Sequence, residues 1–126
     1  MQTPTDLNSK LVLLVDDDDD IREVAAAALE LVNGFRVVTA ANGLDAVEQA
    51  ATHRPDGIVL DVMMPGIDGL QTVQKLKAES ATAGIPVILL TARVDGDQPD
   101  TVAGVIAKPF DPMGLGAEVS RLLGWS

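Results

Sequence analysis

Asp16 and Asp17 follow the apolar run Leu11-Val12-Leu13-Leu14-Val15, Asp61 follows Ile58-Val59-Leu60, and Thr91 and Lys108 stand after later apolar runs. Three carboxylates, a hydroxyl and an ammonium group thus occur at the ends of segments that look buried. If the chain brings the carboxylates of Asp16, Asp17 and Asp61 to one place, their mutual repulsion raises their proton affinity unless a cation neutralises them. A divalent ion is therefore expected. An all-oxygen set without His or Cys suits Mg²⁺, which accepts few protein ligands and keeps waters or substrate oxygens in its octahedral shell.

The elements that must position these groups can be read from the pattern. Short, wholly apolar runs separated by helical stretches read as buried parallel strands, and in open parallel sheets functional groups collect beyond the strands' carboxyl ends. Strands are expected over residues 11–15, 35–39, 57–60, 85–90 and 105–107. Helices are expected over 21–32, ending at Asn33-Gly34, over 44–52, over 68–79, and from Asp111-Pro112 to about Leu123-Gly124. Met64-Pro65-Gly66 is a turn, and residues 1–10 form a polar, loose leader before a single unit over 11–126. The alternation implies one doubly wound α/β sheet with right-handed crossovers.

Composition narrows the function classes. A chain of 126 residues, 47% hydrophobic and 22% charged, is one domain's worth of globular protein. No stretch approaches the roughly 18 apolar residues that span a bilayer, so membrane insertion is not expected. The net charge of −10 opposes direct binding to a nucleic-acid backbone. The absence of Cys removes disulfides and thiolate chemistry, and the N-terminus lacks an export pattern; a cytoplasmic protein is expected.

Val15-Asp16-Asp17-Asp18, the stretch Leu60-Asp61-Val62-Met63-Met64-Pro65-Gly66-Ile67-Asp68-Gly69, Thr91-Ala92 and Lys108-Pro109-Phe110, in that order, resemble the receiver domain of two-component response regulators. The resemblance covers nearly the whole chain after the leader and implies the flavodoxin-like strand order 2-1-3-4-5. It also implies that Asp61 is the phosphoacceptor, with Thr91 and Lys108 bearing on the transferred group. For the metal it implies Mg²⁺ held by Asp17, Asp61 and the backbone carbonyl of Met63, and by Asp16 through water. Chemistry agrees, because a carboxylate is a weak nucleophile toward phosphorus unless the charge around it is managed. The small Ala92 leaves room for the phosphoryl group. The resemblance further implies a cis Lys108-Pro109 bond, which would aim the ammonium into the site. The implied partners are a histidine kinase or phosphotransfer protein and an unknown downstream protein reached by contact. Only Gly124-Trp125-Ser126 follow Leu123, so a stand-alone receiver is expected.

Other acidic and titratable groups read more simply. Asp18 to Asp20 are a solvated run that caps the first helix. An EF-hand is excluded because the Gly and Glu that such a loop needs are missing at the required spacing. Met63 and Met64 are loop packing residues, and His53 is a solvated helix-terminal residue. One region departs from the receiver pattern. Lys108 follows Thr91 by only 17 positions, roughly five fewer than receivers usually have, which is over one helical turn. The fourth helix must be short or missing, with a turn-forming acidic stretch at Asp95-Gly96-Asp97-Gln98-Pro99-Asp100. Val105 stands where receivers carry an aromatic residue, so a switch, if present, uses another bistable element. Two other readings compete: a receiver-like module that binds partners without phosphorylation, and a Mg²⁺-dependent phosphohydrolase with an Asp nucleophile.

Overall fold

The computed structural model describes residues 10–64, 66–92 and 101–125. The leader apart from Lys10, Pro65 of the Met64-Gly66 turn, and the acidic stretch at 95–100 lie outside the described residues. Among the described residues nine elements follow, strands and helices alternating up to β4: β1 (Leu11–Val15), α1 (Asp19–Asn33), β2 (Arg36–Ala40), α2 (Gly43–His53), β3 (Gly57–Asp61), α3 (Gly69–Ala78), β4 (Val87–Thr91), β5 (Gly104–Ala107) and α4 (Pro112–Leu123). All strand pairs are parallel, in the order β2-β1-β3-β4-β5. No helix among the described residues is long and apolar enough to cross a membrane.

Two-residue periodicity divides each apolar strand between two cores. Leu13, Val15, Ile58, Leu60, Val87 and Leu89 pack with Ala46 and Ala50 of α2 and with Val73 and Leu76 of α3. Val12, Leu14, Val59, Ile88 and Leu90 pack on the other face with Ala25 and Leu29 of α1 and with Leu115 and Val119 of α4. Strands covered on both faces need an apolar residue at every position, which is why these runs do not alternate in polarity.

Local chemistry sets the element ends. The Asp18 side chain accepts from the backbone N–H groups of Asp20 and Ile21, so α1 begins two residues before the expected start. Gly34, at φ 73°, and Gly124, at φ 71°, close α1 and α4. The left-handed position that closes α2 is held by Arg54, at φ 48°, which no sequence signal marks. Strand β4 starts at Val87 rather than at residue 85, because the Ile85 N–H is turned to the Thr82 carbonyl and Pro86 has no N–H to donate. Between β4 and β5, the described residues 101–103 contain no helix.

Candidate functional site

The chain leaves β1 in one direction, to β2, and returns across it to β3, so the carboxyl ends of β1 and β3 border the crevice where the strand order reverses. Doubly wound sheets bind ligands at such points. Asp16 and Asp17 leave the end of β1, and Asp61 ends β3. One carboxylate oxygen from each of these three residues lies within 4.8 Å of the others, in an arrangement able to hold a metal ion.

The three are held differently. Asp16 is fully buried. One of its carboxylate oxygens accepts the Asp18 N–H at 2.9 Å, and the other lies 3.3 Å from the Lys108 ammonium. Asp61 is 3% exposed and accepts the Met63 N–H at 3.2 Å. Its other oxygen is 3.4 Å from Lys108 Nζ. Asp17 is exposed. The Lys108 N–H donates to the Thr91 carbonyl at 2.9 Å, tying the start of the β5–α4 loop to the end of β4. The Lys108–Pro109 peptide is cis. Thr91, 7% exposed, is one residue beyond the pairing of Leu90 with Asp61.

Charge does not balance within this group: three carboxylates face one ammonium. Burial pushes the Asp61 carboxyl above its ordinary value of 3.8 and the Asp16 carboxylate pushes it further, against the opposing pull of Lys108 and the Met63 N–H. Burial disfavours the Lys108 ammonium, yet Asp61 and Asp16 together outweigh that effect and raise it above 10.5. A buried carboxylate that one cation does not fully compensate, beside a solvent-facing Asp17, is the condition under which a divalent, oxygen-seeking ion is stabilising. The donor set therefore fits such an ion.

A cleft of about 610 Å³ opens beside Asp61 and Lys108. Its walls are mostly apolar: Ile21 and Val24 from α1, Met63 and Ala92 from loops, and Phe110 and Pro112 from the entry to α4. Sequence reasoning assigned Met63, through its carbonyl, and Ala92 to the site, but not Ile21, Val24 or Pro112. For the remaining apolar walls the one available signal was the adjacency of Phe110 to Lys108-Pro109. Met63 and Met64 also diverge, since Met64 is packed in the core at 8% exposed while Met63 stands 76% exposed at the cleft. Two of the simpler readings hold: Asp18 caps α1 and exposed His53 lies in the last turn of α2.

The response regulator receiver domain model matches residues 12–120. The chain belongs to the response regulator receiver domain family. It is 40% identical over 122 residues to the phosphate regulon transcriptional regulatory protein PhoB of Escherichia coli, a match that covers 91% of this chain and 52% of PhoB. This receiver thus spans about half the length of the curated relatives it matches. Among solved structures, the chemotaxis response regulator CheY4 of Vibrio cholerae superposes with a TM-score of 0.81 at 30% identity, covering 90% of this chain and 98% of that one. The receiver domain of the sensor histidine kinase PA1611 from Pseudomonas aeruginosa, which has a magnesium ion in its active-site cleft, superposes with a TM-score of 0.79 at 31% identity and covers 91% and 98%. The strand order and the acidic crevice of this receiver are those that the family resemblance implied.

Proposed function

We propose that this receiver takes a phosphoryl group onto Asp61 from the phosphohistidine of a histidine kinase or phosphotransfer protein, and passes the signal on by contact with a downstream protein. The observation that carries this reading is the convergence of Asp16, Asp17 and Asp61 with Lys108 at the β1/β3 crevice. One Asp61 carboxylate oxygen bonds to phosphorus as the phosphorus–nitrogen bond of the donor breaks, leaving an acyl phosphate and a neutral imidazole once the ring nitrogen has its proton.

The residues around Asp61 prepare that transfer. Burial strips water from the carboxylate, and the Met63 N–H fixes one of its oxygens. The Lys108 ammonium, held between Asp16 and Asp61, is placed to meet charge on the incoming phosphoryl oxygens, and the Thr91 hydroxyl is assigned to the same task. Asp17, Asp61 and the Met63 carbonyl are the direct ligands assigned to Mg²⁺. Asp16, whose oxygens already accept from Asp18 and Lys108, acts through water. When bound, the ion supplies positive charge that spreads the load on the transferring group. The apolar cleft beside Asp61 gives the donor an approach from the α1 and α4 side. The same groups assist loss of the phosphoryl group to water, so the protein acts as a signalling element and is not a turnover enzyme.

Intact mass after incubation with acetyl phosphate tests the reading without a known partner. The parent should gain one phosphoryl group only with Mg²⁺ present, and Asp61→Asn should gain none. A parent that stays unmodified would overturn the proposal in favour of a phosphorylation-independent interaction module.

A further inference from the structure

Arg22 has no part in the chemistry above, yet it touches the loop that carries two of the three acidic groups. It lies in the first turns of α1, its backbone N–H bonded to the Asp18 carbonyl at 2.9 Å. Its guanidinium turns back over the β1–α1 connection. Nη1 donates to the Asp16 backbone carbonyl at 2.7 Å, and Nη2 donates to Asp19 Oδ1 at 2.6 Å. The side chain is 19% exposed, whereas that of Asp19 is 85% exposed. An ion pair to so exposed a carboxylate contributes little. The bond to the Asp16 carbonyl is the better shielded of the two.

That bond completes a clamp. The Asp16 N–H donates to the Ala40 carbonyl at the end of β2, at 3.2 Å. The Asp16 backbone is therefore held from β2 through its nitrogen and from α1 through its oxygen, and the peptide leading into Asp17 cannot rotate freely. Asp17 depends on this, because its carboxylate makes no hydrogen bond or ion pair among the described residues. Its direction comes from its backbone.

We infer that Arg22 is a positioning residue for the divalent-cation site, aiming the Asp17 carboxylate through the Asp16 carbonyl. The inference rests on Asp16, Asp17 and Asp61 being that site. It makes a prediction of unusual sign. A guanidinium close to the acidic group repels an incoming divalent cation, so if Arg22 acted by its charge alone, its removal would tighten binding. If it acts by positioning, removal weakens binding, by about 10- to 100-fold on the scale seen when groups that orient metal ligands are lost.

The experiment is calorimetric titration of Mg²⁺ into the parent and into Arg22→Met, Arg22→Lys, Asp19→Asn and Asp17→Ala. Melting in EDTA would report the fold of each variant. Arg22→Met should bind more weakly than the parent while still melting cooperatively. Arg22→Lys keeps the charge without the two-pronged fork, and should also bind more weakly. If Arg22→Met does not fold, Arg22→Lys decides the matter. Asp19→Asn leaves the carbonyl bond intact and should stay within about threefold of the parent, as befits an exposed pair. With acetyl phosphate, the Arg22 variants should need more Mg²⁺ for half-maximal phosphorylation yet reach nearly the parental rate at saturation. Mg²⁺ binding by the folded Arg22 variants that is as tight as the parent's, or tighter, would overturn the inference while leaving the cation site intact. Absence of binding in the parent would instead remove the site and the inference together.

Discussion

The Asp61 carboxyl is raised by burial and by Asp16, and that direction fixes a pH dependence for the metal-free protein. A folded state that holds the Asp61 proton more tightly than the unfolded chain gains stability from it fully below the ordinary value of 3.8, and loses that gain as pH rises through the folded value. Above that window, ionised Asp61 opposes folding. Asp61→Asn should therefore be more stable than the parent in EDTA at neutral pH, with the difference shrinking as pH falls toward about 4. Urea denaturation at the two pH values measures it, and a parent more stable than Asp61→Asn at neutral pH would contradict the electrostatic account. The acidic residues, Thr91 and Lys108 were legible in the sequence because each stands at the end of an apolar run. Arg22 was not, since its contact with the Asp16 carbonyl depends on how the side chain folds back along its own helix, which residue type and spacing do not specify.

Among the elements, the entry to α3 is set by how closely Gly69 approaches the end of β3. Gly69 donates its N–H to the Val62 carbonyl at 2.9 Å, and a Cβ there would sit 2.6 Å from Val62 Cα and 2.8 Å from the Asp61 carbonyl oxygen. Those are backbone atoms of the loop that carries the phosphoacceptor candidate, so they cannot yield without moving Asp61. Gly69→Ala should cost about 1–3 kcal/mol, the usual range for overpacking, and should slow phosphorylation by acetyl phosphate as well. Urea denaturation and the rate of mass gain would check the two effects, and an alanine variant of parental stability and rate would show that the contact is not tight. The sequence displayed Gly69 inside a recognisable motif, and it displayed the capping Asp68 beside it, but not the backbone that Gly69 must clear. Strand existence was likewise legible from the apolar runs at β1, β3 and β4. Edges were less so: the start of β4 depends on the Thr82–Ile85 turn, and β2 begins one residue after Phe35, which packs in the α1/α4 core.

At the scale of the whole molecule, a net charge of −10 and three carboxylates gathered in one crevice both oppose the compact state, and they respond to ions differently. Monovalent salt screens the dispersed charge over a Debye length of about 10 Å at 0.1 M, but it reaches buried groups much less. A divalent ion bound at the crevice acts where screening does not, and it stabilises only the folded chain, because the ends of β1 and β3 meet only when the sheet has formed. Mg²⁺ at 100 times its dissociation constant should add about 2.7 kcal/mol, which for a domain of this size corresponds to a rise in melting temperature on the order of 10 °C. NaCl of equal ionic strength should give a smaller rise, and Asp17→Ala should respond to the two salts alike. Differential scanning calorimetry distinguishes these outcomes. If the parent gained no more from MgCl₂ than from NaCl, the crevice would not be a cation site, and the excess of acidic residues there would need another partner, such as a basic surface docking over the carboxyl ends of the strands.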